Sequence, residues 1–132
     1  MNKLTAMMLA FCMLLAPAAF ATPATDSLLA QYKSEGASKA DPAKAKSDWT
    51  REVTVDGEQM ACATCHGSDF SKSGKHHKTG KLIKPMAPSV NPERFTDAKK
   101  IEKWLKRNCN DVWSRECTAQ EKGDILKFLL SK

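Results

Sequence analysis

The run Cys62-Ala63-Thr64-Cys65-His66 constrains this chain of 132 residues more than any other feature. Cys-x-x-Cys-His is the attachment pattern of a c-type haem. Two intervening residues let one helical turn present both sulfurs, each to a vinyl group as a thioether. The adjacent imidazole then reaches the iron from the proximal side. The haem supplies the chemistry; the protein supplies axial ligands, dielectric and access. A thioredoxin-like dithiol would sit at a helix start after a buried strand. Here the polar stretch from Thr54 to Gln59 comes first, and no βαβ pattern surrounds it. Zinc held by Cys62, Cys65, Cys109 and Cys117, or by His66, is the other alternative.

The first 21 residues read as an export signal. Lys3 gives a basic start, Leu4 to Leu15 is mostly apolar but too short for a membrane span, and Ala19-Phe20-Ala21 is a small-x-small cleavage signal. Cleavage there leaves residues 22–132 as one mono-haem domain in the periplasm, with a modest core. Losing Lys3 lowers the formal charge of +6 by one. The charges are mixed, without an Arg-rich tract or aromatic-basic interleaving, which argues against nucleic acid and for an acidic protein partner. Cys12 leaves with the signal, so four of the five cysteines remain, in an oxidising compartment. If haem takes Cys62 and Cys65, the spacing of Cys109 and Cys117 allows a short disulfide loop worth ~2–3 kcal/mol. Such a staple compensates for a small core or fixes the end of the preceding helix.

The rest reads as a small all-α haem fold with one short β-hairpin. Residues 26–39 suggest a helix ending near Gly36. Asp41 caps a second, with Pro42 at its first position and Trp49 on its later turns, where it can pack across the last helix. Val53 to Met60 reads as a hairpin turning at Asp56-Gly57. Residues 67–95 form a long irregular wrap, rich in Gly and Pro and made basic by Lys72, Lys75, Lys78, Lys81 and Lys84. Those lysines are either solvated or a docking surface for an acidic redox partner. A helix follows from Thr96, with Ile101, Trp104 and Leu105 on one face and Lys106 and Arg107 near its C-terminus. Thr118 and Glu121 form a capping box for a last helix carrying Ile125, Leu126, Phe128 and Leu129.

The group opposite His66 decides the function. Met86, in Lys84-Pro85-Met86-Ala87-Pro88, is placed to aim a thioether, though only 20 residues separate it from His66. Met60 is too close to the attachment site and reads as core. His76 and His77 would give bis-His ligation, but lysines and glycines surround them. Asn108 and Asn110 follow a helix, where Asn commonly caps. Spacing alone ranks Met86 first, which would make a conventional low-spin electron carrier.

The segments CATCHG, TGKLIKPMAPSVNPERFTDAKKIEKWLKRNCNDVWSREC and TAQEKGDILKFL resemble the sphaeroides haem protein family, small class I-like c-type cytochromes. The resemblance runs from about Pro42 to Leu130. It implies a class I cytochrome c-like fold around one covalent haem c, with His66 proximal, Asn108 distal in the ferric state, and Cys109 paired with Cys117. Asn110 is then at most an outer neighbour. It also implies O2, NO and CO as haem ligands, and a di-haem cytochrome c and a membrane cytochrome b as electron donors. The wrap departs from the family in its paired His76 and His77 and in Met86. An amide oxygen is a neutral, hard ligand that suits ferric iron, whereas ferrous iron prefers imidazole, thioether or a π-accepting gas. Release of Asn108 on reduction is therefore the expectation. A peroxidase-like catalyst is the competing class, with Arg94 and Arg107 as arginine candidates, but no distal His/Arg pair stands at suitable spacing.

Overall fold

The computed structural model describes residues 20–132; the export signal expected over residues 1–21 lies almost entirely outside them. Five helices and two short hairpins follow in the order α1 (Pro23–Ser34), α2 (Pro42–Trp49), β1 (Val53–Val55), β2 (Glu58–Met60), α3 (Cys62–His66), β3 (Gly74–Lys75), β4 (Leu82–Ile83), α4 (Ala98–Trp113) and α5 (Ala119–Leu129). This is the mainly helical, class I cytochrome c-like architecture that the sequence suggests.

Local chemistry sets most boundaries. Asp41 caps α2 by accepting from the Ala43 and Lys44 amides, both at 3.0 Å. Helix α1 begins earlier than the pattern indicated, because Thr22 caps it and Pro23 takes its first position. It ends before Gly36, whose φ of +102° no helix accommodates. The β1–β2 hairpin turns at Asp56-Gly57, both at positive φ, and pairs Val53 with Met60. The second hairpin, β3–β4, lies inside the wrap that reads as irregular in the sequence.

Helix α5 packs against both α1 and α2. Its capping box is complete: Thr118 accepts from the Glu121 amide at 3.2 Å, and the Thr118 amide donates to Glu121 at 2.9 Å. Two clusters fill the interior. One joins Trp49, Met60, Val112, Trp113, Ile125, Phe128 and neighbours. The other joins Leu28, Tyr32, Ile101, Leu126 and Leu130. Trp49 does pack across α5, its ring 6.1 Å from that of Phe128.

Glu121 is also held by Arg115 through two bonds of 2.8 and 2.7 Å. That pairing, with the Thr118 amide, pulls its carboxyl down from the usual 4.5 to about 2. A lowered folded-state pKa contributes stability that is full above the unfolded value and is lost as pH falls through the folded one. Glu121→Gln is expected to flatten the loss of stability between pH 4.5 and about 2. At neutral pH it should cost about 1–2 kcal/mol, the lower part of the range for a charged hydrogen bond, because Arg115 stays open to solvent. Denaturant unfolding across that pH range checks both; an unchanged acid limb would assign acid sensitivity to other carboxylates.

Helix α4 corrects two readings. It continues to Trp113 and stops at Ser114, which adopts the left-handed conformation. Asn108 is therefore inside the helix, and Lys106 and Arg107 lie well short of its end. Trp104 is not on the buried face: it is 41% exposed. Lys103 and Arg107 stand over its ring at 5.4 and 5.5 Å. The inward stripe runs instead through Ile101, Leu105, Asn108 and Val112.

Candidate haem site

Helix α3 is a single turn built from the Cys-x-x-Cys-His residues. Thr64 accepts from the Ala61 amide at 2.9 Å and closes its start. Gly67, at φ +66°, ends it. The Gly67 carbonyl accepts from the Trp49 indole at 2.8 Å, which fastens α3 to α2. The Trp49 ring lies 5.6 Å from His66 and 5.1 Å from Phe70.

Cys62 and Cys65 are free and half-buried, and burial pushes the Cys62 thiol up to about 11. Cys109 and Cys117 are joined in a disulfide with Cα atoms 5.6 Å apart. That bond consumes two of the four thiolates a zinc site would have required. The disulfide ties Cys109, four residues before the end of α4, to the residue before the α5 cap, rather than following the helix end.

His66 is the feature the protein leaves incomplete. Its Nδ1 is buried and has no hydrogen-bond partner. Burial, with the positive charge of Arg94, holds the imidazole down to about 4, so it stays neutral. A buried neutral imidazole and two free cysteines on one helical turn are the donors a covalent haem c requires. Val53, Val55, Phe70, Met86, Phe95 and Leu105 supply half-buried apolar surface around the same cluster. The residues present fit that group.

The sixth-ligand candidates are placed very differently. His77 is engaged with Glu58 at 2.6 Å, and His76 Nδ1 accepts from the Thr79 amide at 3.2 Å. Met86 is half-buried and packs against the Trp49 cluster. Asn110 is exposed and donates to the Lys106 carbonyl at 2.8 Å, within its own helix. Asn108 is half-buried on the inward stripe of α4 and takes part in no side-chain hydrogen bond among the described residues. Met60 is buried core, as its position suggested.

Three contributors escaped the sequence reading. Trp49 was identified as core but not as a neighbour of His66. Arg94 was weighed only as a distal group. Gly74 packs where a Cβ would lie 2.2 Å from the Cys65 carbonyl oxygen, so β3 rests directly on α3. No periodic signal marks any of these, because each depends on a contact between distant segments.

A one-turn Cys-x-x-Cys-His helix, an incomplete buried histidine and a helical shell define a mono-haem c-type cytochrome of class I-like fold. Comparison narrows the class. A family model described as a domain of unknown function, DUF1924, matches residues 35–129. The cytochrome c-type protein SHP of Cereibacter sphaeroides is 36% identical over 130 residues, covering 98% of this chain and 100% of that protein. The structure of oxidised SHP, described as an oxygen binding cytochrome c, is 39% identical with a TM-score of 0.75, over 82% of this chain and 96% of that one. The solution structure of cytochrome c'' from Methylophilus methylotrophus, presented for its haem-ligand detachment, is 32% identical with a TM-score of 0.66, over 82% and 93%. The chain belongs to the SHP family of c-type cytochromes.

Proposed function

We propose that this protein is a periplasmic high-spin cytochrome that exchanges electrons and binds O2, NO and CO when reduced. Asn108 would be the ligand opposite His66 in the ferric state and would leave on reduction. The carrying observation is the Asn108 amide, half-buried on the inward stripe of α4 without a hydrogen-bond partner among the described residues. Its amide oxygen, an acceptor that no protein donor occupies, is available to a bound group. Two likenesses support the reading: SHP is described as oxygen binding, and cytochrome c'' as detaching a haem ligand.

Each residue has a distinct task. Cys62 and Cys65 would hold the haem as thioethers, and neutral His66 would offer a lone pair. The haem, when bound, supplies one-electron chemistry and an iron that prefers hard oxygen donors when ferric and π-acceptors when ferrous. Asn108 offers a neutral oxygen donor, weaker than the thioether of Met86. The disulfide at the neighbouring Cys109 would limit how far this part of α4 can move, which would keep Asn108 near its place. Its amide N–H2 is then free to donate a hydrogen bond. The test is an optical series on the haem-loaded protein: ferric, reduced, and reduced under CO and O2. A high-spin reduced form that binds both gases supports the reading. A low-spin reduced form indifferent to CO makes the protein a conventional carrier with Met86 as ligand.

The electron donor we propose is an acidic cytochrome, such as a di-haem cytochrome c itself supplied by a membrane cytochrome b. No acidic residue occurs between Asp69 and Glu93, while Lys72, Lys75, Lys78, Lys81 and Lys84 are all exposed. Leu82, 71% exposed, sits among them. This lysine-rich hairpin rests on α3, which makes it a suitable docking surface. Reduction by such a donor should slow by about tenfold or more between low and physiological salt. A salt-independent rate in stopped-flow experiments would move the docking surface elsewhere.

A further inference from the structure

We infer that Arg94 is a positioning residue of the haem site: it clamps the Lys84–Pro85 backbone beside His66 and leaves there a fixed positive charge that favours the reduced haem. This rests on the chain binding haem through His66, as proposed above, and not on the identity of the sixth ligand.

The clamp is explicit in the hydrogen bonds. Arg94 Nε donates to the Pro85 carbonyl at 2.9 Å, and Nη2 donates to the Lys84 carbonyl at 2.5 Å. Asn91 Nδ2 donates to the same Pro85 carbonyl at 3.1 Å. The Arg94 amide in turn donates to the Asn91 carbonyl at 3.0 Å, so both side chains act from one turn. The far end of the strap is fixed by the Ala87 amide, which donates to Phe70 at 2.9 Å. Phe70 stacks edge-on against Trp49, and Trp49 lies against His66. The strap and His66 therefore share one wall.

No protein carboxylate among the described residues partners the charge. Arg51 faces Asp48 and Glu121, Arg107 faces Asp111, and Arg115 faces Glu121. Among the described residues Arg94 is the one arginine with no carboxylate partner, and it is half-buried. Carbonyl oxygens satisfy its N–H groups but cancel none of its unit charge. Away from solvent that charge is weakly screened. The strap residue Met86 and the neighbouring Phe95 pack against the same cluster as Cys62, which places the clamp on the wall of the haem site. A fixed cation there opposes the extra positive charge of the ferric state and favours uptake of an electron. Guanidinium suits the task because it holds two carbonyls with one rigid fork and keeps its charge at any ordinary pH.

Two substitutions separate the clamp from the charge. Arg94→Lys keeps the charge and loses the fork; Arg94→Gln loses both. The measurements are the midpoint potential of the haem-loaded protein by spectroelectrochemistry and hydrogen exchange at the Ala87 amide. Exchange at Ala87 should quicken by about tenfold in both variants. The potential should fall in Arg94→Gln and stay close to the parent value in Arg94→Lys. Asn91→Ala, which loosens the same carbonyl without touching a charge, should quicken exchange and leave the potential in place. An unchanged potential in Arg94→Gln, or an equal fall in Arg94→Lys, overturns the electrostatic role. Unchanged exchange overturns the clamp. The spin state and CO binding of the reduced parent protein test the Asn108 reading separately, so failure of one does not imitate failure of the other.

Discussion

Asn108→His is expected to turn the reduced protein low-spin and to weaken CO binding by roughly 100-fold. A strong internal ligand leaves only a small competent fraction, and apparent affinity falls by that fraction. Asn108→Ala should change the ferric spectrum while leaving the reduced spectrum and its CO complex close to those of the parent. The structure makes this a clean experiment. Asn108 is inside α4, five residues before its last helical residue, and makes no side-chain hydrogen bond among the described residues. Alanine is a better helix former than asparagine, so the backbone has no reason to move. A spectral change then reports ligation rather than unfolding. Ferric spectra that coincide for the parent and Asn108→Ala would remove Asn108 from the site and return Met86 to first place.

The largest stability loss is expected at Gly74. A methyl group there meets the Cys65 carbonyl oxygen at 2.2 Å and the His66 Cα at 3.0 Å. Both are backbone atoms of α3 and have no rotamer by which to yield. The strand must lift instead, which breaks the His77 amide contact to Cys65 Sγ at 3.3 Å. Overpacking of this kind costs about 3 kcal/mol, and here it falls on the residues that must accept haem. Gly74→Ala should therefore lower both unfolding stability and the fraction of chains carrying covalent haem. Gly80 provides the control. It has φ +68°, and its added Cβ would meet only the mobile end of Lys75, at 3.4 Å. Gly80→Ala pays the left-handed backbone cost of about 1–2 kcal/mol and should leave haem attachment intact. Equal losses in the two variants, by denaturant unfolding and haem content, would mean that β3 does not bear on α3.

Elements governed by adjacent residues were legible in the sequence. The Asp41-Pro42 start, the Asp56-Gly57 turn and the Thr118–Glu121 box are each complete within four residues. The haem-binding turn is legible for the same reason. The β3–β4 hairpin is not: two residues per strand leave no period to detect. Helix α4 was cut short because its polar last turns look like a loop, while Val112 and Trp113 extend the buried stripe and the disulfide holds it. That error hid the placement of Asn108. As a residue after a helix it reads as a cap; inside the helix it stands on the same face as Leu105 and Val112. Arg94 and Trp49 show a different limit. Their partners lie on other segments, and local sequence carries no trace of which segments meet.

The two interior clusters differ in what they depend on. The Leu28, Tyr32 and Leu126 cluster is made by α1, α4 and α5, while the Trp49 cluster carries the residues around Cys62. Among the described residues, only Phe95 and Leu105 pack against both. The molecule is therefore modular on a scale smaller than a domain. Substitutions in the loops and hairpins between residues 50 and 94 can retune the haem surroundings while the three-helix platform keeps its own packing. A lineage built on this plan can drift in ligand preference and in partner choice without renegotiating its fold.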